Sequence, residues 1–328
     1  MGTISKLSGK NIDDVNKING VAKSSIAKFA GQEIPSTSLL LDTYTGSSIA
    51  YSVRRLNSSY TGACMRIREG SGNTETDIGF DSNGYIDTAA IASHCGSATG
   101  YVTKWYPQST SGGTGSGNDA VQTTSSQQPE IYNGTSVYTD NSIAAIRVPN
   151  AANGSIGLDI QSNLRTSLGA SSVFTVHNID QQHTGFQRIY TFYKVQQYAL
   201  TTSTHTNYAD FSIGDSGGAS SDRRYVRFND STRLQQKVRT AIYDGSSTTS
   251  GGKPDIEFRI NGVEDTTPID GNAGFYVPAS GENSIMYRMQ NNTQGIIGYM
   301  QELIVFLSDE STDRAAIESD IQTYYSIT

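Results

Sequence analysis

From Ile143 onward the chain repeats one pattern. A short run rich in Val, Ile, Thr, Tyr and Phe is followed by a cluster of Gly, Ser, Asn or Asp. The runs are Ile143–Val148, Ser155–Ile160, Val173–Ile179, Arg188–Leu200, Ala209–Gly214, Arg224–Phe228, Leu234–Tyr243, Ile256–Ile260, Ser284–Met289 and Ile296–Leu307. They recur roughly every 10–15 residues with no helical period between them, which is the signature of packed antiparallel sheets. Asn261-Gly262, between Ile256–Ile260 and Val263–Asp265, is a strong hairpin signal because both residues tolerate φ > 0. Strands of this kind bury one face each, so the pattern predicts an all-β sandwich. The composition agrees: 35% of residues are hydrophobic, and 19 Tyr outnumber 10 Phe and 1 Trp. Only the end differs. Ser308-Asp309-Glu310 is placed to cap a short C-terminal helix with Ile317, Ile321 and Tyr324 on one face.

The stretch from Ala50 to Ile131 carries the most local information. Ala63–Glu69 alternates, with Met65 and Ile67 opposite Cys64, Arg66 and Arg68. Asp77–Phe80 reads as a short strand and Ser82-Asn83-Gly84 as a turn. Asp87 can cap a helix over Thr88–Cys95 that Gly96 ends. Tyr101–Tyr106 alternates again and runs into the polar loop Pro107–Asp119. An aromatic strand end beside Asn118 and Asp119 suits stacking on a sugar ring with hydrogen bonds to its hydroxyls, so Tyr106, Trp105, Asn118 and Asp119 are the glycan-binding candidates. Alternation sets Trp105 and Tyr106 on opposite faces, which favours Tyr106 as the surface contact and Trp105 as core.

The segments AYSVRRL, SSYTGACMRIRE, TDIGFD, IDTAAIASHCG, GYVTKWYPQS, NDAVQTT and QQPEI, in that order, resemble the first third of the arabinofuranosidase B catalytic domain. The resemblance implies a concanavalin A-like jelly-roll sandwich, and it leaves an arabinofuranosidase-like glycoside hydrolase as the alternative function. It also has departures. The family's "Y-D-Q-S" has Pro107 in place of its Asp, and its adjacent cysteine pair has no counterpart, since Cys64 and Cys95 lie far apart in the chain. The family's catalytic Glu and Asp fall beyond the matching stretch. Relatives of this stretch also occur in phage structural proteins without obvious catalytic residues.

The first 35 residues are a different object. ISKLSGKNIDD, VNKINGVAKSS and IAKFAGQEIPS are three copies of an 11-residue unit. Ile4, Val15 and Ile26 share one column, Leu7, Ile18 and Phe29 another, and Gly9, Gly20 and Gly31 a third. One unit buries too few apolar side chains to offset its own ordering entropy, so the copies must pack on something. These six apolar residues are therefore the candidates for anchoring or oligomerisation. The segment holds five Lys against Asp13, Asp14 and Glu33, a net +2, while the remainder is 19 − 28 = −9. The repeat resembles N-terminal arms of tailed-phage virion proteins. The expected organisation is thus a repeat arm over 1–35, a linker at Pro35–Ser38, and a lectin-like sandwich over 36–328. The expected function is a non-enzymatic virion structural protein, a capsid decoration or tail-fibre component. Its expected partners are other virion proteins through the arm, a second copy of itself, and a surface glycan.

Other classes are disfavoured. A net charge of −7 argues against nucleic acid. No run of about 18 apolar residues exists to span a membrane, and no apolar h-region follows Met1. His94, His177, His183 and His205 lack zinc-ligand spacing, and no Asp-x-Asp-x-Asp run exists, so neither a metal nor a cofactor is expected. His177 and His183 flank a polar loop and read as solvated. Gly214-Asp215-Ser216-Gly217-Gly218 matches a serine-protease nucleophile loop, with His94 and Asp140 as partners, but its flanking residues do not. Cys64 and Cys95 read as two buried thiols, with a single bridge left open.

Overall fold

The computed structural model describes residues 38–109, 118–149, 155–160, 169–180, 185–192, 195–202, 205–214, 223–232, 234–245, 256–266, 269–272, 283–286 and 295–328, together with six two-residue strands in the first 35 positions. The body is a β-sandwich with a short C-terminal helix. Its spine is five antiparallel strands: Ser47–Ser52 (β1), Gly298–Phe306, Ser171–Ile179, Lys237–Tyr243 and Ile256–Ile260, each hydrogen-bonded to the next in that order. A second run of antiparallel partners passes from Glu75–Ile78 through Met65–Glu69 (β2), Thr99–Trp105 (β3), Ala120–Val121, Leu158–Ile160 and Ser284–Ile285 to Gly185–Phe192. It continues through Val195–Thr202, His205–Gly214 and Arg223–Asn229 to Ile269–Asn272.

The spine strands do not alternate between buried and exposed. Ser171–Ile179 is buried at all but one position, and so is Gly298–Phe306. Both faces of these strands are covered. Double coverage brings polar groups inside, and the charged Arg239 is paired. Arg239 donates from Nε to Asp230 at 2.6 Å and from Nη1 to the His177 carbonyl at 3.0 Å, with both charged side chains almost fully buried. His177 lies on this strand, 2% exposed, with Nδ1 3.1 Å from Thr175 Oγ1. The expectation of a solvated His177 is therefore corrected: it lies inside the expected strand, which is buried at nearly every position. His183 and Ser216 lie outside the described residues, and so does most of the protease-like motif.

Several elements follow the sequence closely. Thr88–Cys95 (α1) is a helix; Asp87 accepts from Ala90 N–H at 2.9 Å, and Gly96 ends it at φ +57°. Arg188–Leu200, expected as one strand, is two antiparallel strands, Gly185–Phe192 and Val195–Thr202. The C-terminal helix is Arg314–Tyr325 (α2), which starts later than Ser308 suggested. Its buried face is Ile317, Ile321 and Tyr325, spaced i, i+4, i+8, with Tyr324 turned to the rim. A one-turn helix at Leu40–Thr43 carries no sequence signal beyond Asp42, whose carboxylate accepts from Leu39 N–H and Ser58 N–H. Cys64 and Cys95 are free and buried.

In the first 35 residues each 11-residue unit forms one hairpin in the same register. Lys6 pairs with Asn11 and Leu7 with Lys10; Lys17 with Ala22 and Ile18 with Val21; Lys28 with Glu33 and Phe29 with Gln32. In the sequence, Ser8-Gly9, Asn19-Gly20 and Ala30-Gly31 separate the paired strands; these residues lie outside the described ones. Ile4, Val15 and Ile26 lie outside the described residues.

Candidate functional site

Where α2 meets the end of β1, three loops enclose a cleft of about 320 Å³ lined by Val53, Asp81, Tyr85, Ile86, Thr88, Ser142, Ile143, Ala144 and Tyr324. That volume lies at the lower end of the range for small-ligand sites, about 300–1,000 Å³. Tyr85 is 49% exposed, an unusual state for a large aromatic ring. Its centroid is 5.5 Å from that of Tyr324 with the planes at 54°, so the two rings form an open corner.

Local chemistry fixes each wall. Asp81 Oδ1 accepts from the N–H groups of Asn83 and Tyr85 at 2.9 Å each, an Asx-type turn that Gly84 completes at φ +82°. The opposite wall is the hairpin Thr139–Asp140 (β4) and Ile143–Ala144 (β5). Asn141 and Ser142 at its tip have φ of 49° and 65°, two consecutive positive values as a tight hairpin turn requires. Gln301 Nε2 lies within 3.0–3.2 Å of the Asp140, Ile143 and Ala144 carbonyls, and Asn141 Nδ2 donates to the Tyr325 carbonyl at 2.7 Å. These bonds tie hairpin, sheet and helix together.

Beneath Tyr324 lies a buried ionic network. Arg54 donates to Glu302 at 2.9 Å from Nε and at 3.1 Å from Nη2, and to Asp320 at 2.7 Å from Nη1. Ser52 Oγ at 2.6 Å and Tyr325 Oη at 3.1 Å also donate to Glu302. The Arg54 guanidinium sits 4.6 Å above the Tyr324 ring, holding it from behind. Burial pushes the Tyr324 phenol well above its ordinary pKa, while Arg54 opposes this. Gln108, the Gln of the matching "Y-x-Q-S" segment, is fully buried; it accepts from Leu56 N–H at 2.7 Å and donates to the Arg54 carbonyl at 2.8 Å. The motif residue thus acts on the backbone that carries Arg54.

The residues singled out from sequence lie elsewhere. Tyr106, Asn118 and Asp119 do come together at the open end of β3. Tyr106 donates to Asp77 at 2.8 Å, and Lys104 lies 3.5 Å from Asp119 and 5.9 Å from the Tyr106 ring. Arg66 forms a bidentate pair with Asp77 at 2.7 and 2.9 Å, and the hydrogen bond from Arg66 holds the Asp77 carboxyl below its ordinary pKa. Tyr51 donates to the Asn118 carbonyl. Trp105, named as a candidate although alternation favoured it as core, is fully buried 5.5 Å from the Tyr51 ring, with Nε1 3.4 Å from the Ser52 carbonyl. A ring with no exposed face cannot stack on a ligand. In this patch the phenol of Tyr106 and both oxygens of Asp77 already have protein partners, whereas the cleft offers an open aromatic corner. Tyr85, Tyr324 and Asp81 were missed because they come from one turn and a distant helix end. The available signal was the Asn83-Gly84 turn, which presents the residue after it.

Comparison with solved structures places the fold. Two chains described as GH54 α-L-arabinofuranosidases match it. One, soaked with a cyclic sulfate inhibitor, has a TM-score of 0.58; the other, a mutant soaked with 4-nitrophenyl α-L-arabinofuranoside, has 0.57. A third, an arabinofuranosidase complexed with arabinofuranosyl-α-1,2-xylobiose, has 0.56. Each is 17% identical over 86% of this chain, and this chain spans 64% of theirs. No family model matches the chain, and no curated protein does. The expectation of a non-enzymatic virion structural protein is overturned here. The three structures that share the sandwich over 86% of the chain are arabinofuranosidases, and none of the three is a virion protein.

Proposed function

We propose that the chain is a glycoside hydrolase directed at arabinofuranosyl-bearing glycans. The observation that carries this reading is the shared sandwich over 86% of the chain with arabinofuranosidases, supported by the ordered segments between Ala50 and Ile131. Glycoside hydrolysis generally uses two carboxyl groups, one of which stays protonated to assist the leaving group. Among the described residues, Asp140 has that character: burial raises its pKa first, and the charge of Asp180 adds to the shift. It sits on the hairpin that walls the cleft, so Asp140 is the first residue to test. The full chain should release 4-nitrophenol from 4-nitrophenyl α-L-arabinofuranoside, and Asp140→Asn should lower kcat by at least about 100-fold, the lower end of a general acid's contribution. No release above the uncatalysed rate overturns the hydrolase reading. Release unchanged in Asp140→Asn removes this acid from it.

A further inference from the structure

The cleft between Tyr85 and Tyr324 has a chemistry of its own. Its walls are two phenol rings, the apolar side chains of Val53, Ile86, Ile143 and Ala144, and the polar side chains of Asp81, Thr88 and Ser142. Among the described residues, no lysine or arginine lines it. The nearby cation, Arg54, is buried behind Tyr324 and engaged by Glu302 and Asp320. An acidic ligand would therefore meet the Asp81 carboxylate with no positive charge to balance it. A flat, planar aromatic ligand would fit two parallel rings, but these planes meet at 54°. A sugar ring suits this corner. Its C–H face lies on one phenol, its edge meets the other, and its hydroxyls reach a carboxylate and two alcohols.

We infer that this cleft holds one neutral sugar ring of a glycan, stacked on Tyr85. Its substrate class rests on the carbohydrate reading above, but the binding needs no hydrolytic step. The cleft is preorganised. The Tyr85 backbone is fixed by Asp81, the hairpin by Gln301 and Asn141, and the Tyr324 ring by Arg54, so little conformational freedom is lost on binding.

The test is calorimetric titration of the full chain with an arabinoxylan oligosaccharide and, in parallel, with sialyllactose as the acidic probe. Tyr85→Ala should weaken oligosaccharide binding by about tenfold or more, the loss of one stacked aromatic face. Thr88→Trp, an exposed substitution that fills the cleft from its rim, should abolish binding. Tyr106→Ala should leave it unchanged, and sialyllactose should bind at least about tenfold more weakly. Melting temperatures of all variants report whether folding is intact. Oligosaccharide binding that survives both Tyr85→Ala and Thr88→Trp overturns the inference, and so does an absence of binding to the parent chain. Release of 4-nitrophenol is scored separately. Binding that depends on Tyr85 in a chain without hydrolysis refutes the hydrolase and keeps the clamp. Hydrolysis in a chain whose binding ignores Tyr85 does the reverse.

Discussion

Two corners of the molecule use the same three kinds of group for opposite ends. Under the cleft, Arg54, Glu302 and Tyr324 form a cation, a carboxylate and an aromatic ring in contact. At the open end of β3, Arg66, Asp77 and Tyr106 do likewise. The first pair is buried, with side chains 8% and 0% exposed; the second is at the surface, with 35% and 43%. Depth decides what each is for. A buried pair must be satisfied on every side, and Glu302 accepts four hydrogen bonds, two from Arg54, one from Ser52 and one from Tyr325. A surface pair competes with water and salt and holds only itself. The buried corner is therefore scaffold, and what it supports is the open tyrosine corner in front of it.

The largest expected effect breaks the buried corner. Glu302→Ala leaves the Arg54 guanidinium buried with only Asp320 as a charged partner, and removing one member of a buried pair costs about 3–5 kcal/mol. Urea unfolding should show that loss. A cost below about 1 kcal/mol would mean that water reaches Arg54 and that depth does not separate the two corners. Tyr85→Ala, in front of the same network, should change stability by less than about 0.5 kcal/mol because the ring is exposed.

The next effect comes from the spine. Burial, and then the charge of Arg239, push the His177 pKa well below its ordinary value, so the folded state keeps this ring neutral. The unfolded chain takes up a proton below about pH 6.5. Its folded pKa being the lower one, the neutral ring destabilises the fold progressively as pH falls below the unfolded value. Stability is therefore lost as pH falls from about 7 through the unfolded value towards about 5. Urea titrations of the parent chain and His177→Gln at both pH values check it: the variant should lack that part of the slope. Equal slopes would place His177 in contact with solvent.

These cases show what the sequence could and could not reveal. The sandwich was legible because period-two alternation and Gly/Asn turns are local signals, and Asp87 with Gly96 bounded α1 correctly for the same reason. His177 was misread because polarity nearby was taken for exposure, whereas both faces of its strand are covered. Trp105 and Tyr106 were separable by alternation, but which one met water depended on the opposing layer. The cleft was not legible at all. It is assembled from residues as distant as Val53 and Tyr324, and its strongest ring, Tyr85, sits in a turn where no periodicity applies. Gln108 was visible as part of a motif, yet its role, holding the Arg54 and Leu56 backbone, is a long-range hydrogen-bond fact.

The smallest effect probes the surface corner. Asp77 is held below its ordinary pKa, chiefly by the hydrogen bond from Arg66, so its contribution is present above the unfolded value of about 3.9 and is lost as pH falls through the lower folded value. Because both partners are more than a third exposed or close to it, screening reduces the pair to about 1 kcal/mol or less. Asp77→Asn should therefore cost no more than that in urea at pH 7. The cost should shrink further in 1 M salt, where the screening length falls to about 3 Å. The Tyr106 hydroxyl would lose its charged acceptor, but the cleft shares no residue with this patch, so oligosaccharide binding should not move. If Asp77→Asn instead weakened binding as strongly as Tyr85→Ala, the two corners would be one glycan surface, and the division by depth would fail.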